Sequence, residues 1–264
     1  MRPPGSLART LLVLGYLFLY LPIAMLVLYS FNRSAAVMIW GGFSTRWYTA
    51  LWQDQQILQA AWLSVRIALA SATLALLLGT LAAFARQRQG RAPRLLADLI
   101  GLPLVLPDVV MGLSLLLLFV AVQGLLNWPA RGALTIILAH ATVGMAYVMV
   151  VVRARMAQLD ASLAEAAADL GADRLQVLLR ITLPQLAPGL IAAWLLAFTL
   201  SLDDVVIASF VSGPGASTLP MVLYASIRLG LTPKINALAS LLMLLGVGAA
   251  AIAGYLTLRR SAAI

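Results

Sequence analysis

Six long apolar stretches account for most of this chain of 264 residues. The hydrocarbon core of a bilayer takes roughly 20 residues of α-helix, and each stretch is about that long. The predicted spans run from Thr10 to Phe31, Leu63 to Ala85, Leu99 to Ala121, Leu134 to Val152, Leu186 to Val211 and Ile235 to Leu258. No internal repeat or boundary marks a second domain. The pattern therefore predicts an all-α integral membrane protein with six transmembrane helices in a single domain, residues 1–264.

The composition fits a lipid environment and excludes several kinds of chemistry. Hydrophobic residues make up 62% of the chain and charged residues 10%, whereas an ordinary soluble domain is about 25% charged. There is no cysteine, which excludes disulfides, thiolate metal sites, iron–sulfur clusters and cysteine nucleophiles. The residues give no indication of a catalytic group, a metal site or a cofactor bound by this chain.

The basic residues indicate how the chain is oriented. A net charge of +9 would suggest a nucleic-acid partner for a soluble protein, but the 18 basic residues are spread between the apolar segments, so no nucleic acid is predicted. Most of them lie on one side if there are six spans, namely Arg2, Arg9, Arg86, Arg88, Arg91, Arg94, Arg153, Arg155, Arg174, Arg180, Arg259 and Arg260. The excess of basic residues in cytoplasmic segments then places both termini in the cytoplasm.

Two short segments on the predicted outer face have their own signals. Trp47, Tyr48, Leu51 and Trp52 are about one helical turn apart, and aromatic rings favour the membrane–water boundary, so this segment is predicted to be an interfacial helix. Thr232 followed by Pro233 predicts the cap and first turn of the last span.

The longest predicted cytoplasmic loop covers residues 153–185 and is expected to form two short helices. Ser162 to Leu170 is rich in alanine, which favours a helix. Gly171 suits the left-handed residue that ends a helix, and Asp173 can cap a second helix through Arg180, which must stop before Pro184. The loop could dock another protein or be a simple water-exposed connector.

The same loop carries a motif. Glu165, Ala166 and Ala167 are followed after three residues by Gly171, and after nine more by Ile181, Thr182, Leu183 and Pro184. This spacing resembles the EAA loop of the ABC importer permeases, which has the pattern EAA, three residues, G, nine residues, I-x-L-P. The resemblance implies a type I importer permease fold and a loop, built on Glu165, Ala166, Ala167, Gly171, Ile181, Leu183 and Pro184, that docks on an ATPase.

That family's arrangement implies partners and a location. The chain has no G-x-x-x-x-G-K-[ST] motif for holding nucleotide phosphates, so ATP and magnesium are expected on a partner. The resemblance implies a complex with a second permease subunit, two ATPase subunits and a periplasmic solute-binding protein, surrounded by lipid in the bacterial inner membrane. Transport is expected to proceed by alternating access.

Three carboxylates, Asp108, Asp203 and Asp204, fall within predicted spans. A carboxylate at the centre of a lipid-exposed helix costs about 2.5–3.5 kcal/mol, so such residues usually face a cavity and mark a substrate path. Asp108 follows Pro103 and Pro107, which are expected to bend span three near mid-membrane. Asp203 and Asp204 are expected to point about 100° apart on one helix. A pair with a buried arginine is the alternative, but no arginine lies well inside a span.

The surrounding sequence is similar to that of spermidine/putrescine permeases, and most like the putrescine type. The similarity is carried by residues 102–110 (LPLVLPDVV), 201–206 (SLDDVV), 212–215 (SGPG) and 235–239 (INALA). Lys234 is a departure, since the family usually has an acid there. A polyamine cation is therefore the expected solute, with Tyr147, Trp194, Phe198 and Tyr224 as candidates for cation–π contacts. His140, the lone histidine, is expected to have a structural role because no titratable partner is apparent near it.

Three other functions compete with this interpretation. The chain could be an ABC permease for another small solute, since the EAA loop is shared by importers of many solutes. It could be a proton-coupled secondary transporter using Asp108 or Asp203, although the loop motif argues against that. An intramembrane aspartyl protease would need two acids on facing helices, which the adjacent Asp203 and Asp204 do not provide.

Overall fold

The computed structural model describes residues 6–36, 39–87, 95, 98–230 and 232–261, and these residues are helical throughout apart from turns, loops and one isolated bridge between Asn32 and Phe43. The helices are α1 (Ser6–Ser30), α2 (Arg46–Gln53), α3 (Gln55–Gln87), α4 (Asp108–Leu126), α5 (Ala133–Met156), α6 (Ala161–Asp169), α7 (Arg174–Val177), α8 (Leu183–Asp203), α9 (Val206–Val211), α10 (Leu219–Leu229) and α11 (Pro233–Ser261). A 3₁₀ turn covers Leu102–Leu104 and a π-helical turn covers Leu178–Thr182.

Within the described residues, five helical runs are long and apolar enough to cross a membrane. They are Leu7–Ser30, Gln55–Arg86, Asp108–Leu126, Ala133–Met156 and Arg174–Asp203. The sixth predicted span corresponds to α11, which begins at Pro233 as the Thr232–Pro233 signal predicts. The prediction of an all-helical membrane protein is confirmed, while the count of six spans and the single domain stay predictions.

The described residues group into two compact units. One comprises the chain up to Leu58 together with the chain from Leu223 onward, and the other covers Gln59–Val222. In the first unit α11 packs against α1 and α2, and Lys234 at the start of α11 forms an ion pair with Asp54. The aromatic helix predicted around Trp47 is α2, where Leu51 is buried and the Trp47 Nε1–H donates to the Asn32 carbonyl oxygen at 2.7 Å. Its position at a membrane interface stays a prediction.

In the second unit α5 is the central helix. It packs against α8 along its length, and α9 packs against both α4 and α5. Small residues allow the close approach of α3 to α5, since a Cβ atom on Gly79 would lie 2.6 Å from the Met145 carbonyl oxygen and 2.7 Å from the Val148 Cβ atom. Because α5 is central, its side chains lie next to side chains of several other helices.

The predicted continuous span from Leu99 to Ala121 is wrong in its first half. The chain forms the short 3₁₀ turn at Leu102–Leu104, becomes extended at Pro107 (φ −60°, ψ 143°), and starts α4 only at Asp108. Proline has no amide hydrogen and its ring disfavours helical conformation in the residue before it, so two prolines four residues apart end the helix here instead of bending it.

The predicted helix over Leu186 to Val211 is also interrupted, because α8 ends at Asp203 and α9 begins at Val206. Asp203 and Asp204 therefore do not share a regular helix, and Asp204 has an extended backbone (φ −67°, ψ 129°). The opposite correction applies at the start of α8. The second loop helix does not stop before Pro184, because the π-helical turn at Leu178–Thr182 joins α7 to α8.

Candidate functional site

The loop between α5 and α8 has the predicted helix–turn–helix form. The Asp160 carboxylate accepts a hydrogen bond from the Ser162 amide at 2.9 Å and caps α6, and bonds from Ser162 lower the pKa of Asp160. Gly171 has a φ of +85°, the left-handed conformation predicted for it. Asp173 and Gln176 form a reciprocal capping box at the start of α7, with the Gln176 amide donating to the Asp173 carboxylate at 2.8 Å.

The motif residues are spread along this loop and its junction with α8. Glu165, Ala166 and Ala167 lie on α6, Gly171 lies in the turn, Ile181 lies in the π-helical turn, and Leu183 and Pro184 begin α8. Large apolar side chains of the loop face outward, with Leu170 89% exposed and Leu175 62% exposed. The loop therefore presents large apolar side chains to its surroundings.

Arg155 ties the two ends of the loop together. From the end of α5 its Nε and Nη2 groups donate to the Gln185 carbonyl oxygen at 3.3 and 3.2 Å. Its stem lies against Gly189, where a Cβ atom would be 2.7 Å from the Arg155 Cγ atom. From the sequence, Arg155 was used only to orient the chain in the membrane. Its contact with Gln185 was missed, because no local pattern connects two residues that are 30 positions apart.

A cavity of about 300 Å³ lies among α4, α5, α8 and α9. Four of the predicted pathway residues line it: Asp108, Asp203, Asp204 and Tyr147. Asp108 is the first residue of α4 and Asp203 the last residue of α8, and both are exposed. The breaks in two spans therefore bring three carboxylates to one cavity.

Asp204 differs from Asp203 in being enclosed. Its side chain is 15% exposed, and its carboxylate accepts hydrogen bonds from the Ile207 amide at 3.2 Å and the Ala208 amide at 2.7 Å. These bonds satisfy amides at the start of α9 that have no partner within that helix. Asp204 thus stabilises the break between α8 and α9, whereas Asp203 is exposed on the cavity that both residues line.

His140 has partners that sequence reasoning missed. Its Nε2 atom lies 3.1 Å from the Asp204 carboxylate and its Nδ1 atom 2.7 Å from the Ser201 hydroxyl. The Ser71 hydroxyl, on α3, donates to that of Ser201 at 3.0 Å. The expectation that His140 has no titratable neighbour is wrong, because Asp204 lies beside it. The two residues are 64 positions apart, and no pattern in one sequence connects them.

The other predicted aromatic residues do not line this cavity. The rings of Trp194 and Phe198 stack on each other with centroids 5.2 Å apart, and the Trp194 Nε1–H donates to the Thr73 hydroxyl at 3.2 Å. Tyr224 belongs to the first unit, where the Arg228 guanidinium lies 4.7 Å from its ring centroid. Among the described residues there is no group of three or more His, Asp or Glu side chains placed to hold a metal ion.

Comparison with known proteins identifies the family. The family described as "Binding-protein-dependent transport system inner membrane component" matches residues 75–261. The putrescine transport system permease protein PotI of Escherichia coli (strain K12) is 54% identical over 249 residues, which cover 93% of this chain and 87% of that protein. The spermidine/putrescine transport system permease protein PotC of the same strain is 39% identical over 233 residues, which cover 88% of this chain and 86% of that protein.

A solved structure supports the fold. The crystal structure of a bacterial ABC transporter involved in the import of the acidic polysaccharide alginate matches with a TM-score of 0.70 over 97% of this chain and 95% of that chain, at 16% identity. An identity this low indicates a shared architecture. The chain belongs to the family of inner membrane components of binding-protein-dependent transport systems, and it is a multi-pass permease subunit of an ABC transporter rather than an enzyme.

Proposed function

We propose that this permease subunit takes part in the import of a short polyamine, with putrescine as the best candidate. The observation that supports this most strongly is the meeting of Asp108 and Asp203 in one cavity of a chain that is 54% identical to a putrescine permease. The family assignment argues against the proton-coupled carrier and the intramembrane protease.

The chemistry of the cavity suits a cation. Carboxylates within membrane segments are costly unless they face water or a partner, so Asp108 and Asp203 favour a positively charged occupant. Tyr147 lines the same cavity, and a tyrosine ring face attracts an ammonium group. Binding should be weak, because a solute that passes through must also leave.

The loop from Arg153 to Gln185 is proposed to dock on a partner ATPase, since ATP in this family is hydrolysed by a separate subunit. Its exposed leucines and its intact EAA spacing support this role. Because Arg155 binds the Gln185 carbonyl, a force on the loop would reach α5 and α8 together. The proposed complex contains a second permease subunit, two ATPases and a solute-binding protein.

The proposed orientation places both termini and this loop in the cytoplasm. It is supported by the excess of arginines at the termini and in the loops after the second and fourth predicted spans. The solute-binding protein would then dock on the opposite, periplasmic face.

Uptake of labelled putrescine into vesicles containing the whole complex tests the solute and its path. Asp203→Asn and Asp108→Asn should each abolish uptake while the complex still assembles, because each removes a charge from the cavity. Asp98→Asn is the matched control, since Asp98 is 63% exposed and pairs with Arg86, and it should leave uptake unchanged. Full uptake in both cavity variants would refute the proposed path, and uptake of another solute in preference to putrescine would refute the solute.

A further inference from the structure

We propose that His140 is a positioning residue: through Ser201 and Asp204 it fixes the end of α8 so that Asp203, and not Asp204, presents its carboxylate to the solute. This inference rests on the proposed function, because it assigns roles within the same cavity. It assigns different roles to two adjacent acids: Asp203 contacts the solute, and Asp204 accepts hydrogen bonds from backbone amides.

The first step is that Asp204 is already occupied. One carboxylate oxygen accepts from the Ile207 amide, and the other accepts from the Ala208 amide and faces His140 Nε2. Three of the roughly four acceptor positions of this carboxylate are thus taken, which leaves Asp204 little capacity to bind an ammonium group. Asp203, one residue earlier, is exposed on the cavity.

The second step is that His140 contacts two residues at the end of α8. Its two ring nitrogens bind Ser201, in the last turn of α8, and Asp204, the residue that follows the helix. A contact at two points fixes the rotation of this turn against α5. Asp203 lies between them in sequence, is exposed and lines the cavity.

The third step is that the hydrogen bonds run in one direction. A carboxylate only accepts hydrogen bonds, so the Asp204 partner Nε2 carries the ring hydrogen, and Nδ1 of a neutral ring accepts from the Ser201 hydroxyl. Ser201 in turn accepts from Ser71 on α3. Every member of the chain from Ser71 to Asp204 has a suitable partner, and such fully satisfied buried networks make a structure rigid.

Cysteine labelling tests the orientation of residue 203 without depending on uptake. The chain has no cysteine, so Asp203→Cys and Tyr147→Cys each place a single thiol on the cavity. Both would be made in the assembled, nucleotide-free complex with cysteine-free partner subunits. The measurement is the rate at which a positively charged methanethiosulfonate reagent modifies each thiol. Mass spectrometry of this chain detects the modification over time.

Adding His140→Ala should slow modification at position 203 by about fivefold relative to position 147, the change expected from losing one hydrogen bond of ordinary net strength. His140→Asn, which can still donate and accept, should restore part of the rate. Thr142→Val is the matched control, because the Thr142 hydroxyl donates to the Leu138 carbonyl within α5, and it should leave the ratio unchanged.

An unchanged ratio in His140→Ala, or equal slowing at both positions, would overturn the proposal. If His140→Ala does not assemble, Ser201→Ala removes the Nδ1 partner alone and should shift the ratio in the same direction, and an unchanged ratio there overturns the proposal as well. Loss of the proposed solute path would instead show in the uptake of Asp203→Asn, so the two failures are distinguishable.

Discussion

The two ends of α8 differ in how the local sequence relates to the backbone conformation. At its start, Pro184 and Pro188 lie within a helical run that continues from α7 through the π-helical turn at Leu178–Thr182. At its end, the segment Ser201–Val206 contains neither proline nor glycine, yet the helix breaks there. The residues usually regarded as helix breakers are therefore at the end that stays helical.

The difference lies in what satisfies the backbone groups. At the start of α8 the π-helical turn accommodates the missing amide of Pro184, and Arg155 donates to the Gln185 carbonyl. At the end, the Asp204 carboxylate accepts from two amides of α9 and so stabilises a non-helical backbone. In an apolar segment, a side chain that satisfies the backbone in the broken form determines where a helix ends.

The strongest test of this comparison is Asp204→Ala. The change leaves amides of Ile207 and Ala208 and the ring of His140 without their acceptor, and each buried donor left without an acceptor costs about 1–3 kcal/mol. Unfolding of the purified complex in detergent would measure this loss in the free energy of unfolding. Asp203→Asn is the control and should change stability by less than about 0.5 kcal/mol. Equal effects at the two positions would contradict the division between them.

A smaller effect is expected at the other end from Gly189→Ala. The new Cβ atom would lie 2.7 Å from Arg155 Cγ, and forcing a methyl group into a packed site costs about 1–3 kcal/mol. The displaced Arg155 should also reduce the solute transported per ATP hydrolysed. Gly124→Ala is the control, since nothing lies within 4 Å of a Cβ there. Undiminished coupling in Gly189→Ala would count against Arg155 as a mechanical link.

Pro184→Ala should have a still smaller effect on stability, below about 1 kcal/mol. If the π-helical turn is held by the packing around it, it persists when the proline that it accommodates is gone. A crystal or cryo-electron microscopy structure of the variant complex would show whether residues 178–182 keep their backbone. Conversion to regular α-helix would mean that Pro184 alone imposes the turn.

The smallest effect concerns a carboxylate cap outside the membrane spans. Asp54 accepts from the Ile57 amide at 3.1 Å and pairs with Lys234, and the hydrogen bond from Lys234 lowers the pKa of Asp54. The pair therefore stabilises the fold above pH about 4, the ordinary value for Asp, and this contribution is lost as the pH falls through the lowered pKa.

Asp54→Asn should cost less than about 1 kcal/mol at neutral pH, since partly exposed ion pairs contribute little. The difference in melting temperature between the variant and the parent should shrink as the pH falls below 4. A constant difference down to the lowest pH at which the complex is soluble would show that the charge of Asp54 does not contribute.

The sequence was most informative where the signal is local. The turn at Gly171, the cap at Asp173 and the start of α11 at Pro233 all follow from residues within a few positions of each other. The all-helical membrane architecture followed from the lengths of the apolar stretches. Asp108 and Asp203 were found because carboxylates are rare in such stretches.

The rest depends on contacts between distant residues. The partners of His140 lie 61 and 64 positions away, and the partner of Arg155 lies 30 positions away. The break at Asp204 looked like helix because Leu, Asp and Val at this spacing carry no stop signal of their own. Tyr147 could be placed on the cavity, but Trp194, with similar local surroundings, lies against Thr73 instead.

The two interrupted spans also give the cavity a charge pattern that does not depend on side chains. Aligned peptide dipoles leave about half a positive charge at a helix N-terminus and half a negative charge at a C-terminus. The last turn of α8 borders the cavity beside Asp203 and the first turn of α4 borders it at Asp108, so the backbone adds negative potential near one carboxylate and positive potential near the other. The backbone itself therefore makes the two carboxylates unequal, because a cation is favoured more beside Asp203 than beside Asp108 even where a mutation neutralises one of the acids.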